Sequence, residues 1–233
     1  MRTALIMIAA LCTVAHGAIE TPTIVSNWWS IAQKSPAPYS YQGQFFDWVE
    51  GDACDFTIWQ SADLKWHLLS CVRYTLDPST GTEVPRFFHH WETDDLRNTL
   101  WERKGIMILY VDGERRSMRA PHCFQHGGKW HIFHDSKAAN AWISDDGRDF
   151  VPWYDYQDNV TFFSMSRDLM IFNDLARSGK WIGYFLQNPC GSYTEAYVGA
   201  RTADSLRGPW SGGCPTNVLT GGNPESPFAY RRG

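Results

Sequence analysis

Asp55, Asp168 and Glu225 each stand at the head of a short apolar run: Asp55-Phe56-Thr57-Ile58-Trp59, Asp168-Leu169-Met170-Ile171-Phe172 and Glu225-Ser226-Pro227-Phe228-Ala229-Tyr230. A carboxylate gives or takes a proton according to its surroundings, so acids gathered from distant parts of a chain are the raw material of general acid–base chemistry. A fourth run of the same form, Arg119-Ala120-Pro121-His122-Cys123-Phe124, carries no acid. The histidines raise a second chemistry, metal ligation, through His122 with His126, His131 with His134, and the pair His89-His90. Residues three or four apart do not share a face of a strand as they do on a helix, so no local HxxxH zinc site is expected. Neither a catalytic metal nor a structural zinc is expected, and no CxxC spacing occurs.

Each opening run leads through a polar turn into a second aromatic run, and the pair reads as a β-hairpin with its first residues at the mouth. The second runs are Lys65-Trp66-His67-Leu68-Leu69, Lys129-Trp130-His131-Ile132-Phe133 and Lys180-Trp181-Ile182-Gly183-Tyr184-Phe185. The Lys-Trp pairs recur 64 and 51 residues apart (66 to 130, 130 to 181), roughly the length of a four-stranded propeller blade. Three units follow, over about 49–112, 118–163 and 166–220, with a helical-looking stretch from Thr93 to Glu102 and little helical periodicity elsewhere. Trp66, Trp130 and Trp181 recur at equivalent places and read as packing residues. Phe87, Phe88, Trp91 and Trp153 lie in less repetitive stretches and are candidates for a sugar platform. The expected fold is all-β, a propeller of four-stranded antiparallel blades. Residues 18–48 form an entry segment that packs on the propeller or donates a closing strand. Three units and one further strand do not close a ring, whose open edges would be exposed. The expectation is therefore a chain short of roughly one and a half blades.

Residues 1–17 read as a secretory signal: Arg2 supplies charge, Ala4 to Leu11 an apolar run too short to span a membrane, and Ala15 and Gly17 the small residues of a cleavage site. Secretion or export to a periplasm follows. The net charge of -4 lies spread along the chain without basic runs, which argues against nucleic-acid and membrane partners; no protein partner is indicated. An aromatic share of 15% suits both sugar stacking and a sheet-rich core. Pairing Gln60 with Lys65 across the first turn sets Cys54 opposite Cys71, either as a disulfide or as two small apolar residues.

At its four openings the sequence resembles the five-bladed β-propeller glycosidases, the superfamily of glycoside hydrolase families 43, 32, 62 and 68, and is closest in motif order to family 43. Asp55 resembles the first-blade Asp, Arg119-Ala120-Pro121-His122 the second-blade Ala-Pro motif, Arg167-Asp168-Leu169 the third-blade Arg-Asp-Pro, and Glu225-Ser226-Pro227 the fourth-blade Glu-x-Pro. Ser144-Asp145-Asp146-Gly147 and Gly208-Pro209-Trp210 are similar to outer-strand segments of family 43. Leu169 and Phe56 stand where Pro is usual, and the opening typical of fructosidases is missing. The resemblance implies five blades and a secreted hydrolase of plant or algal poly- or oligosaccharides. It implies Glu225 as general acid, Asp55 as general base or nucleophile (with Asp52 competing), and Asp168 orienting Glu225 with Arg167 beside it. Arg119, His122, Arg167, Trp91 and Phe88 would contact substrate. Inversion is implied, no cofactor is required, and an axial calcium ion known in some members has no identified ligands here. The alternatives are a retaining fructosidase-like enzyme and a carbohydrate-binding propeller without chemistry.

Overall fold

The computed structural model describes residues 39–41, 44–46, 53–72, 88–98, 100–107, 118–135, 138–159, 161–164, 166–187, 197–212, 216–220 and 226–229. The signal segment, Asp52, Phe87, Cys190, Cys214 and Glu225 lie outside them. A hairpin of β1 (Tyr39–Tyr41) and β2 (Gln44–Phe46) precedes three larger antiparallel sheets. The first contains β3 (Ala53–Gln60), β4 (Trp66–Val72), β5 (Phe88–Thr93) and β6 (Glu102–Met107), hydrogen-bonded in that order. In the second, β7 (Arg119–His126), β8 (Lys129–Asp135), β9 (Ala138–Ser144) and β10 (Val151–Pro152) are joined by β11 (Thr161–Ser164), which pairs with β9. The third holds β12 (Ser166–Asp174), β13 (Lys180–Gln187), β14 (Tyr197–Ala203) and β15 (Thr216–Thr220). A single helical turn, α1 (Leu175–Ser178), sits in the β12–β13 connection. The expected helix over Thr93–Glu102 does not form: β5 ends at Thr93, whose hydroxyl accepts hydrogen bonds from the Asp95 N–H and the Asn98 amide, and the chain turns there.

Alternation along each strand explains the stacking of the sheets. Thr57 and Trp59 of β3 are buried while Phe56 and Gln60 are exposed. Strand β8 is buried from Trp130 to Asp135, because its sheet is covered on both faces. On one side Trp59, Leu69 and Phe88 of the first sheet meet Trp130, Ile132 and Trp142 of the second. On the other, Phe133, Ala141 and Phe162 meet Leu169, Ile171, Trp181 and Phe185 of the third. The recurring tryptophans behave as packing residues: Trp130 and Trp181 are core members and Trp66 packs against a smaller cluster with Leu68, Trp91 and Trp101.

Hydrogen bonds fix the order of the sheets. Trp59 Nε1 donates to the Gly147 carbonyl and Trp130 Nε1 to the Gln60 carbonyl, both at 2.8 Å. The Ser144–Asp149 turn that receives Trp59 is tied internally, with Asp146 Oδ1 accepting the N–H groups of Arg148 and Asp149. Gly147, at φ +80, brings its backbone so close to Trp130 that an added Cβ would stand 3.0 Å from the indole.

Candidate functional site

The opening strands share one local distortion. Register slips between Cys54 and Phe56, between Arg119 and His122, and between Arg167 and Met170, so each opening strand carries a β-bulge. At each bulge one non-glycine residue adopts a left-handed backbone: Asp55 (φ 40), Ala120 (φ 45) and Asp168 (φ 55), and Ser226 (φ 47) repeats the conformation at the fourth opening. Such a conformation costs roughly 1–2 kcal/mol per residue, and Asp tolerates it better than most residues. Bulges at sheet ends re-aim a side chain, which is what four repeats of this conformation accomplish here. All four residues line one groove of about 540 Å³. The bulge also settles the first hairpin's register: Gln60 faces Trp66 rather than Lys65, and the extra residue at Asp55 restores Cys54 opposite Cys71, as thiols 3.5 Å apart.

Side chains of one sheet hold the bulges of the next. Asp135 Oδ2, at the end of β8, accepts the Asp168 N–H at 3.3 Å, and Asp168 Oδ2 accepts the Ser226 N–H at 3.2 Å. Nearer the floor, Thr57 Oγ1 accepts the Cys123 N–H at 2.9 Å. Asp135 is 4% exposed, and its Oδ1 has no hydrogen-bond partner among the described residues. Burial and the neighbouring Asp168 charge raise its pKa to about 6, with Asp55 adding to the rise and Arg119 opposing it. Asp135 carries no sequence motif. A signal existed nonetheless: counting back from the Gly127-Gly128 turn places it at the mouth of the hairpin across from Ala120, and the bulge there moves its partner to Arg119.

The other anticipated residues divide. His122 lines the groove, half-buried, and its Nε2 donates to the Ile171 carbonyl at 3.1 Å. Burial depresses its pKa to about 4, so the ring is neutral at neutral pH. Arg119, half-buried, is paired in register with Asp135 and does not line the groove; Arg167 is exposed and does not line it either. Phe88 and Trp91 are 0% and 1% exposed, one in the core between the first two sheets and the other under Trp101; a ring without an open face is no sugar platform. Trp153 packs against the second core. The exposed rings at the groove are instead Phe56 (65%) and Phe228 (80%), the residues just inside two of the openings.

Calcium takes six to eight oxygen ligands. Among the described residues, ligand atoms converge in two groups, Cys54–Asp55–Cys71 and His67–His90–Glu92, and neither offers such a set. Among the described residues no helix is long and apolar enough to cross a membrane.

No family model and no curated protein matches the sequence. Solved structures do. A putative glycosidase of Bacteroides thetaiotaomicron is similar at a TM-score of 0.54 and 17% identity, over 82% of this chain and 60% of that one. A family 117 glycoside hydrolase of the marine bacterium Zobellia galactanivorans follows at 0.51 and 15%, over 75% and 58%. A thermostable family-43 glycoside hydrolase gives 0.50 and 14%, over 73% and 55%. At such identities the likeness is one of fold, and the chain spans less than two thirds of the length of these structures. Its antiparallel sheets thus have the arrangement found in propeller-fold glycoside hydrolases.

Proposed function

We propose that this chain is the greater part of a secreted glycoside hydrolase that cleaves plant or algal poly- or oligosaccharides with two carboxylates, as part of a five-bladed propeller. The observation that carries the reading is the hydrogen bond from the Ser226 N–H to Asp168 Oδ2, which ties the residue next to Glu225 to a groove that Asp55 also lines. In this reading Glu225 protonates the departing glycosidic oxygen and Asp55 removes a proton from the attacking water. Asp168 holds the Ser226 N–H, one residue along from Glu225; a negative charge close to a carboxylic acid favours its protonated form, which is the role the reading gives Asp168. The neutral His122, with Nε2 committed to Ile171, offers Nδ1 to a sugar hydroxyl. Two-carboxylate hydrolysis requires no cofactor. Inversion needs the carboxyl groups about 6.5–9.5 Å apart, leaving room for water between base and sugar.

A second reading rests on Phe56 and Phe228, whose exposed rings beside the groove would hold a sugar by stacking without any chemistry. Assay of the full-length protein on arabinose-, xylose- and fructose-containing glycans separates the two. Asp55→Asn and Glu225→Gln are expected to lower turnover by about 10²–10⁴-fold each, with glycan binding retained. Glycan binding with no turnover in the parent protein would establish the second reading, and no glycan binding at all would remove both.

A further inference from the structure

Away from the groove, His67 of β4 and His90 and Glu92 of β5 gather three candidate ligand atoms within 4.8 Å of one another. Residues two apart on a strand share a face, and His67 stands directly across from Glu92 in the ladder. His67 Nδ1 lies 2.8 Å from His90 Nε2 and 3.5 Å from Glu92 Oε1, and the last two atoms are 3.9 Å apart. Ligands at 2.0–2.1 Å from a tetrahedral zinc ion stand roughly 3.3 Å from one another, a value those separations bracket. We propose that His67, His90 and Glu92 bind a zinc-class divalent transition ion, a site independent of the glycosidase reading.

Counting hydrogens supports this. Ser61 has one hydroxyl hydrogen, and its two acceptors are Asp63 Oδ1 and the Lys65 carbonyl. Towards His67 Nε2, 2.7 Å away, the Ser61 oxygen must therefore accept. His67 is thus protonated at Nε2 and presents a lone pair at Nδ1, the arrangement in which an outer hydrogen bond orients a metal-binding imidazole. His90 then carries its proton at Nε2, and that single proton lies among three electron-pair donors. Loading an ion requires that this proton move to His90 Nδ1, which leaves the ring neutral, that the two facing nitrogens turn towards the ion, and that Arg148 release Glu92 Oε1. The His67 and His90 rings meet nitrogen to nitrogen with their planes within 10° of each other, and the Trp59 ring lies within 9° of the His67 plane.

Two cations compete. Arg148 Nη2 lies 2.9 Å from Glu92 Oε1, and its Nη1 is held by Asp63; Lys104 Nζ is 3.5 Å from Glu92 Oε2 and also pairs with Glu102. They lower the affinity below that of an unopposed three-ligand site, and that opposition can be tested. Titration of the full chain with zinc chloride by calorimetry, and with cobalt(II) by visible absorption, should show one ion per chain and the strong absorption of four-coordinate cobalt. Glu92→Gln and His90→Ala should weaken binding at least about tenfold, and Ser61→Ala about 10–100-fold. Lys104→Ala, at an exposed position, should tighten binding several-fold. A parent chain that binds neither ion, or binding that Glu92→Gln, His90→Ala and Lys104→Ala all leave unchanged, overturns the proposal and leaves the cluster a purely structural network.

Discussion

Asp135 holds its proton up to about pH 6, against an ordinary value of 3.8, and this has a direct consequence for stability. Below the ordinary value both the folded and unfolded chains carry the proton, and the folded state bears no penalty. As pH rises towards about 6 only the unfolded chain releases it, so stability falls across that window and stays reduced above it. Asp135→Asn keeps an oxygen for the Asp168 N–H and removes the charge. It should raise unfolding free energy at about pH 7 by on the order of 1–3 kcal/mol and change it little near pH 3, as read from denaturation at the two pH values. Equal effects at both would show that the burial of this charge is not the cause. The residue was not foreseeable from motif, because no pattern of neighbours distinguishes His134-Asp135-Ser136 from any strand end. Asp55 and Asp168 were foreseeable, since each heads a run whose repetition along the chain is visible. The sugar-platform role assigned to Phe88 and Trp91 failed for a physical reason: irregular placement in the sequence does not separate an exposed ring from one buried beneath a neighbouring sheet.

Hairpins and their order were legible because alternation and Lys-Trp turns recur at blade-like intervals; the bulges were not. A bulge is a backbone event, and Asp55, Ala120, Asp168 and Ser226 share no residue type that announces a left-handed conformation. Only their alignment marks them. At Ala120 the strain can be isolated from any carboxylate chemistry. Ala120→Gly should leave stability unchanged or raise it by up to about 1 kcal/mol, and Ala120→Val should lower it by about 1–3 kcal/mol, both read from urea midpoints. Two similar losses would mean that packing, not backbone conformation, governs the position. The Thr93–Glu102 stretch illustrates the opposite error. Its composition permits a helix, but Thr93 and Asp95 use their side chains to hold a turn, with Asp95 Oδ1 accepting the Arg97 N–H.

At the scale of the molecule, the sheets are joined by ties that run from each to its successor: Trp59 to Gly147 between the first and second, Asp135 to Asp168 between the second and third, and Asp168 to Ser226 beyond. Gly147→Ala puts a Cβ against Trp130 and Ser61 at a positive φ. It should cost about 2–4 kcal/mol, seen as a lower melting temperature with far-ultraviolet circular dichroism retained at low temperature. Pairwise contacts of this kind make stability approximately a sum over neighbours. They also limit how such a molecule can be rebuilt. Although the repeats look alike, each carries a side chain shaped for one particular follower, so segments shuffled among positions would bring familiar strands to the wrong companions. The parts are alike in plan and are not interchangeable.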